Sequence, residues 1–292
     1  MRFNSQCLPP PGWQHARAWR KRRLVSKRNK PIGVFDSGLG GLTVIRQINR
    51  CLPREDIVYF GDLANLPYGT KSREQIVRLS VRAAEFLNSF KIKLLVSACN
   101  SSSATSLAVL KRRFSLPIVG VIEPVAREAV KISKNKRIGI IGTNATIESK
   151  TYQKKIKRLD PAVKILAKSC PLLVPLVEEG WLNGKIVRAV IEKYLEDFKD
   201  KNIDTLILGC THYPLLKDTI STVIGEKTTL LDSAYLAACK VREILAKKKM
   251  LARTGRSKIK FYVSDLPDRF RVIGRKFLGR KIRQVSRVRL DV

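Results

Sequence analysis

The sequence is poor in the residues that build metal sites and staples. It has two histidines, one of them, His15, in an atypical terminal segment, and its six cysteines (Cys7, Cys51, Cys99, Cys170, Cys210 and Cys239) form no CxxC pair. A metal site is therefore not expected. No run approaches the roughly 20 apolar residues of a membrane span, and no apolar stretch of the signal-peptide kind follows the N-terminal basic residues. These absences point to a soluble chain of a reducing, cytoplasmic compartment, with no membrane partner. At 292 residues the chain is long enough for two domains that each bury a core without disulfides.

Acidic residues are also scarce: 24 Asp and Glu face 58 Lys and Arg, a formal net charge of +34. The excess sits at the ends, where residues 1–30 hold nine Lys/Arg and no acid, and residues 240–292 hold eighteen against four acids. Such charge attracts polyanions, nucleic acid above all. Solvated faces or a generally basic proteome account for it more simply, since no aromatic-interleaved or helix-turn-helix pattern accompanies it. Residues 1–30, with "LPPPGW" and "RKRRLVSKRNK", read as a basic disordered extension. A start assigned upstream of the true one, near Leu24-Val25, fits as well, and an organelle transit peptide fits less well.

From Ile32 onward short apolar runs alternate with helical patterns. "IGVF", an amphipathic stretch near 41–51, "IVYF", a helix near 72–90 and "KLLVSA" are followed by "RIGIIGT" (137–143), "AVKILA" (162–167), a helix near 184–199, "TLILG" (205–209) and "TTLLD" (228–232). "KIKFYVS" (258–264) and a helix near 267–278 close the chain. Strand alternating with helix predicts parallel α/β architecture. "IGVFDS" at 32–37 parallels "IGIIGT" at 138–143, and similar intervals, 63 residues from Asp36 and 68 from Gly142, lead to Cys99 and Cys210. The expectation is two pseudo-symmetric parallel-sheet domains with the active site in the cleft between them: 31–123 completed by 233–292, and 124–232. Two unrelated α/β units remain the alternative.

Cys99 in "LLVSACNSSSA" and Cys210 in "LILGCTHYPLL" both end apolar runs. In parallel sheets ligands bind beyond the carboxyl ends of strands. Two thiols reaching one cleft from opposite sides suit the removal of a proton from one face of a carbon and its return to the other, and a thiolate is a plausible base. Asp36 in "VFDSGLGG", Glu178 in "LLVPLVEEGW" and His212 beside Cys210 are candidates to poise the thiols. Asn100, Ser101, Ser102 and Thr211 are donors for an α-carboxylate, although Ser102 or Ser103 read equally as helix N-caps. "DSGLGG" matches no nucleotide fingerprint and reads as a tight turn admitting a substrate carboxylate. Cys7, Cys51, Cys170 and Cys239 read as packing or incidental residues.

With "GVFDSGLGGLTV", "YFGDLANLPYGTKS", "ACNSSSAT", "PIVGVIEP", "IGIIGTNATI", "CPLLVPLVEEG" and "LGCTHYPLL" spread over residues 32–216, the chain resembles the glutamate racemases of the aspartate/glutamate racemase family. The resemblance implies cofactor-independent interconversion of L- and D-glutamate for peptidoglycan, in a two-domain enzyme that is usually a homodimer. It implies Cys99 and Cys210 as proton carriers, acting on the D- and L-isomer respectively, assisted by Asp36, Glu178 and His212. Asp36, Ser37, Tyr68, Gly69, Asn100, Ser101, Thr211 and His212 would contact substrate. The chain departs from the family in having Asn100-Ser101 where Asn-Thr is usual, and in lacking a glycine before Asp265.

Overall fold

Continuous apolar runs such as "IVYF" and "TLILG", with no polar alternation, belong to strands covered on both faces, and they fold as such. The computed structural model describes residues 27–290. Its strands are β1 (Ile32–Asp36), β2 (Ile57–Gly61), β3 (Leu94–Ser97), β4 (Ile118–Gly120), β5 (Arg137–Gly142), β6 (Lys164–Ser169), β7 (Thr205–Gly209), β8 (Thr229–Asp232), β9 (Ile259–Val263) and β10 (Ser286–Arg287). They form a six-stranded sheet, β10-β9-β2-β1-β3-β4, and a four-stranded sheet, β6-β5-β7-β8. Every pairing among the described residues is parallel.

The two sheets share one plan. The order β2-β1-β3-β4 is repeated as β6-β5-β7-β8, so the strand carrying Asp36 corresponds to the one carrying Gly142, and the strands leading to Cys99 and Cys210 lie beside them. In each sheet the chain reverses direction of growth beside the first strand, which is where an open parallel sheet leaves a crevice at its carboxyl edge. One apolar core runs through both sheets, joining Val34 and Val96 to Ile141, Leu206 and Leu208.

Two helices carry the chain between the sheets. Ile122–Ile132 leads from β4 into β5, and Ser233–Lys247 leads from β8 back toward β9. The second is capped by Asp232, whose Oδ1 accepts from the Ala234 N–H at 2.9 Å, and its apolar face is buried through Ala234, Ala237, Ala238, Val241 and Leu245. The strands β4 and β10 were not expected; three and two residues are too short to show a pattern. Residues 1–26 of the expected basic extension lie outside the described residues, as does Cys7. Lys27–Asn29 form a short helical turn, and the Arg28 carbonyl accepts from Lys93 Nζ at 2.6 Å, so the end of that segment is docked.

Candidate active site

The carboxyl ends of β1, β3, β5 and β7 converge on one cavity. It is lined by Ser37, Tyr68, Gly69, Cys99, Asn100, Ser101, Cys210, Thr211 and His212, together with Leu66, Pro67, Thr143, Val174 and Gly209. Nine of the eleven residues that the resemblance assigns to the site thus face a common space. Asp36 and Glu178 stand just behind them. The cavity is small, about 20 Å³, room for about one water molecule.

On the first sheet's side, the Cys99 thiol donates to Ser37 Oγ at 3.7 Å. Burial, and then the Asp36 carboxylate, push the Cys99 thiol up to about 12, so it keeps its proton at neutral pH. Asp36 is fully buried, and burial raises its carboxyl above the ordinary range against the opposing pull of His212 and the Gly38 and Gly41 amides. Its Oδ1 accepts from the Gly38 N–H at 3.0 Å, while Oδ2 has no protein partner.

On the second side, His212 Nδ1 lies 3.8 Å from Cys210 Sγ, and Nε2 donates to Glu178 Oε1 at 3.0 Å. Burial acts to discharge the ring, but the hydrogen bonds to Cys210 and Glu178 prevail and hold it up to about 10. His212 is therefore an imidazolium at neutral pH, set to donate toward the Cys210 sulfur. The ring also meets Phe277 edge-on, with centroids 5.3 Å apart. Phe277 belongs to Pro267–Leu278, the helix between β9 and β10, so the first sheet's elements brace a side chain of the second.

The halves touch through hydroxyls and glycines. Ser101 Oγ and Thr143 Oγ1 are 2.8 Å apart. A Cβ on Gly69 would lie 2.4 Å from Thr143 Cβ. Gly38, Gly40 and Gly41 do not line the cavity: a Cβ on Gly40 would lie 2.0 Å from Thr211 Oγ1, so this glycine permits close approach of the two halves rather than cradling a carboxylate. The Tyr68 hydroxyl is committed to Asp62 Oδ2 at 2.6 Å, leaving its ring and backbone to face the cavity. Ser102 and Ser103 are not N-caps but sit within the helix Asn100–Thr105, where buried hydroxyls bond one another: Ser102 Oγ is 2.7 Å from Ser80 Oγ and accepts from Ser97 Oγ at 3.0 Å. Thr143 was missed in the sequence, although laying "IGIIGT" on "IGVFDS" puts it at the position of Ser37.

Two thiols just past the ends of corresponding strands of the two sheets, facing one cavity, define the class. The chain belongs to the Asp/Glu/hydantoin racemase family, whose sequence profile matches residues 32–241. Within it, the chain is 48% identical over 263 residues to the glutamate racemase of Geobacter metallireducens, covering 90% of this chain and 97% of that one. It is 42% identical over 265 residues to that of Neisseria meningitidis, covering 90% and 98%. The crystal structure of a Bacillus anthracis glutamate racemase superposes with a TM-score of 0.87 at 40% identity, over 89% of this chain and 98% of that chain. The Francisella tularensis glutamate racemase in complex with D-glutamate gives 0.86 at 38% identity, over 90% and 99%.

Proposed function

We propose that the chain interconverts L- and D-glutamate by passing the α-proton between Cys210 and Cys99, supplying D-glutamate for peptidoglycan. The observation that carries the reading is the placement of both sulfurs on one cavity from equivalent strands of the two sheets. The unpartnered groups beside it support an amino acid. Asp36 Oδ2 is a buried acceptor that needs a donor, and Asn100 Nδ2 is a buried donor that needs an acceptor. An ammonium and a carboxylate supply both. The choice of glutamate rests on the relatives named above.

In the L to D direction, the Cys210 thiolate takes the α-proton and becomes a thiol, and the C–H electron pair moves into the α-carboxylate. The Cys99 thiol then delivers its proton to the opposite face, leaving D-glutamate and a Cys99 thiolate. The His212 imidazolium, held by Glu178, steadies the Cys210 sulfur anion. Ser37, Tyr68, Gly69, Asn100, Ser101 and Thr211 surround the substrate.

The sheet memberships support division into 31–123 completed by 233–292, and 124–232. A homodimer in the cytoplasm is part of the same reading, checked by sedimentation and fractionation. Among the described residues no helix is long and apolar enough to cross a membrane.

The test is racemisation of each enantiomer of glutamate and of aspartate, followed by circular dichroism, with Cys99→Ala and Cys210→Ala alongside. Each variant should lose at least about 100-fold in kcat, the scale of a positioned acid or base, with the far-ultraviolet spectrum unchanged. Near-normal turnover in either variant would sink the two-base scheme, and turnover of aspartate alone would sink the choice of substrate.

A second binding activity has one observation in its favour. A groove of about 690 Å³ is lined by Arg271, Arg275, Lys281 and Arg283, with Val272 and Ile282. Its charge suits a nucleic-acid backbone. Binding of duplex DNA should weaken steeply between 50 and 200 mM salt, on the order of tenfold or more for a few phosphate contacts; a flat response would refute it.

A further inference from the structure

Tyr152 lies in the helix Thr151–Leu159, which belongs to the second sheet's half, and its side chain is fully buried. Its hydroxyl crosses to the other half and donates to Asn100 Oδ1 at 2.8 Å. Its ring lies beside the end of β7, where a Cβ added to Gly209 would stand 3.4 Å from Tyr152 Cε2. One side chain therefore bonds the residue after Cys99 and lies beside the residue before Cys210. Burial, and then the neighbouring Cys210, raise the phenol above its ordinary range, so the hydroxyl keeps its proton and remains a donor.

A carboxamide has an acceptor end and a donor end, and what it presents to a ligand depends on which way it is turned. The Tyr152 hydroxyl engages the acceptor end. This leaves Asn100 Nδ2, buried and with no protein partner, on a residue that lines the cavity. Without the hydroxyl, nothing among the hydrogen bonds of the described residues would hold the amide in that sense, and Oδ1 could turn toward an incoming carboxylate and repel it.

We propose that Tyr152 is a positioning residue that orients the Asn100 carboxamide across the cleft, so that Nδ2 donates to a carboxylate of the bound amino acid. The proposal rests on the reading of the cavity as a glutamate site. It also makes carboxylate recognition depend on both halves, because the donor stands in one and its brace in the other.

A double-mutant cycle tests it. Tyr152→Phe removes one oxygen and should raise KM for both enantiomers about tenfold, the effect of one lost hydrogen bond, with kcat changed less than about threefold. Asn100→Ala should raise KM by at least as much. In the Asn100→Ala background Tyr152→Phe should have no further effect, because the group it orients is gone. Additive losses, or a normal KM in Tyr152→Phe beside a raised one in Asn100→Ala, would overturn the role of Tyr152 and leave the site reading standing. A normal KM in Asn100→Ala would overturn both. Thermal unfolding checks that Tyr152→Phe folds. If it does not, the side-chain amide signal of Asn100 in the wild-type protein replaces it: D-glutamate should shift the Nδ2 protons, and an unmoved signal at saturation would overturn the proposal.

Discussion

Replacing Gly40 by alanine adds one methyl group where the two halves meet. The new Cβ would lie 2.0 Å from Thr211 Oγ1, 2.7 Å from Thr211 Cβ and 2.8 Å from His212 Nδ1. Non-bonded heavy atoms prefer about 3.5–4.0 Å, so the loop after β1 or the segment after β7 must move by more than about 1 Å. Thr211 and His212 flank the Cys210 end of the site, and neither can retreat freely: they are 4% and 2% exposed. Overpacking of this kind costs about 1–3 kcal/mol, and a misplacement of about 1 Å in a catalytic array costs about 100-fold in rate. Gly40→Ala should therefore lower kcat/KM for both enantiomers about 100-fold and Tm by several degrees, at roughly 2–4 °C per kcal/mol. The pair of measurements is steady-state racemisation and thermal unfolding of the same preparation. A kcat/KM within about twofold of the wild type would show that the close approach of Gly40 to Thr211 is not needed, and would refute the reasoning.

Two further perturbations address stability. Lys93 and Glu55 form an ion pair with side chains 1% and 2% exposed, and Lys93 Nζ also donates to the Met250 carbonyl at 2.9 Å. Lys93→Ala strands the Glu55 carboxylate and should cost about 3–5 kcal/mol in urea unfolding. Lys93→Met with Glu55→Gln, which keeps an acceptor for the Ala252 N–H, should cost less than Lys93→Ala alone; an equal or larger loss contradicts the account. The hydrogen bonds of His212 to Cys210 and to Glu178 set a pH dependence. Because the folded His212 is raised from 6.5 to about 10, its stabilisation is complete below pH 6.5 and is lost as pH rises through about 10. Tm should fall over that window more steeply in the wild type than in Glu178→Gln, and parallel curves would contradict the pairing.

Much of the fold is written in local pattern. The strand-and-helix rhythm located eight of the ten strands, because buried parallel strands are unbroken apolar runs. The two it missed, β4 and β10, are too short to carry a period. Cys99, Cys210 and Asp36 were legible because each ends such a run, and the repeated β2-β1-β3-β4 plan is visible in "IGVFDS" and "IGIIGT". What was hidden depends on contacts between the halves. Tyr152 meets Asn100 across 52 residues, and no local pattern marks a tyrosine inside a helix as the brace of a distant amide. "DSGLGG" reads locally as a tight turn admitting a carboxylate; the partner that makes Gly40 necessary, Thr211, lies far along the chain, just past the end of β7 in the other sheet.

The central claim is that two different sulfurs act on opposite faces of the α-carbon, and isotope uptake tests it most directly. Wild-type protein is incubated in D₂O with L-glutamate, and in a separate reaction with D-glutamate, and both enantiomers are analysed at low conversion. Two bases predict deuterium at the α-carbon of the newly formed enantiomer and little in the recovered substrate, because the incoming proton comes from a solvent-exchanged thiol on the other side. Substrate-derived α-hydrogen retained in the product, or deuterium appearing equally in recovered substrate and product from the start, would mean that one group serves both faces and would contradict the account.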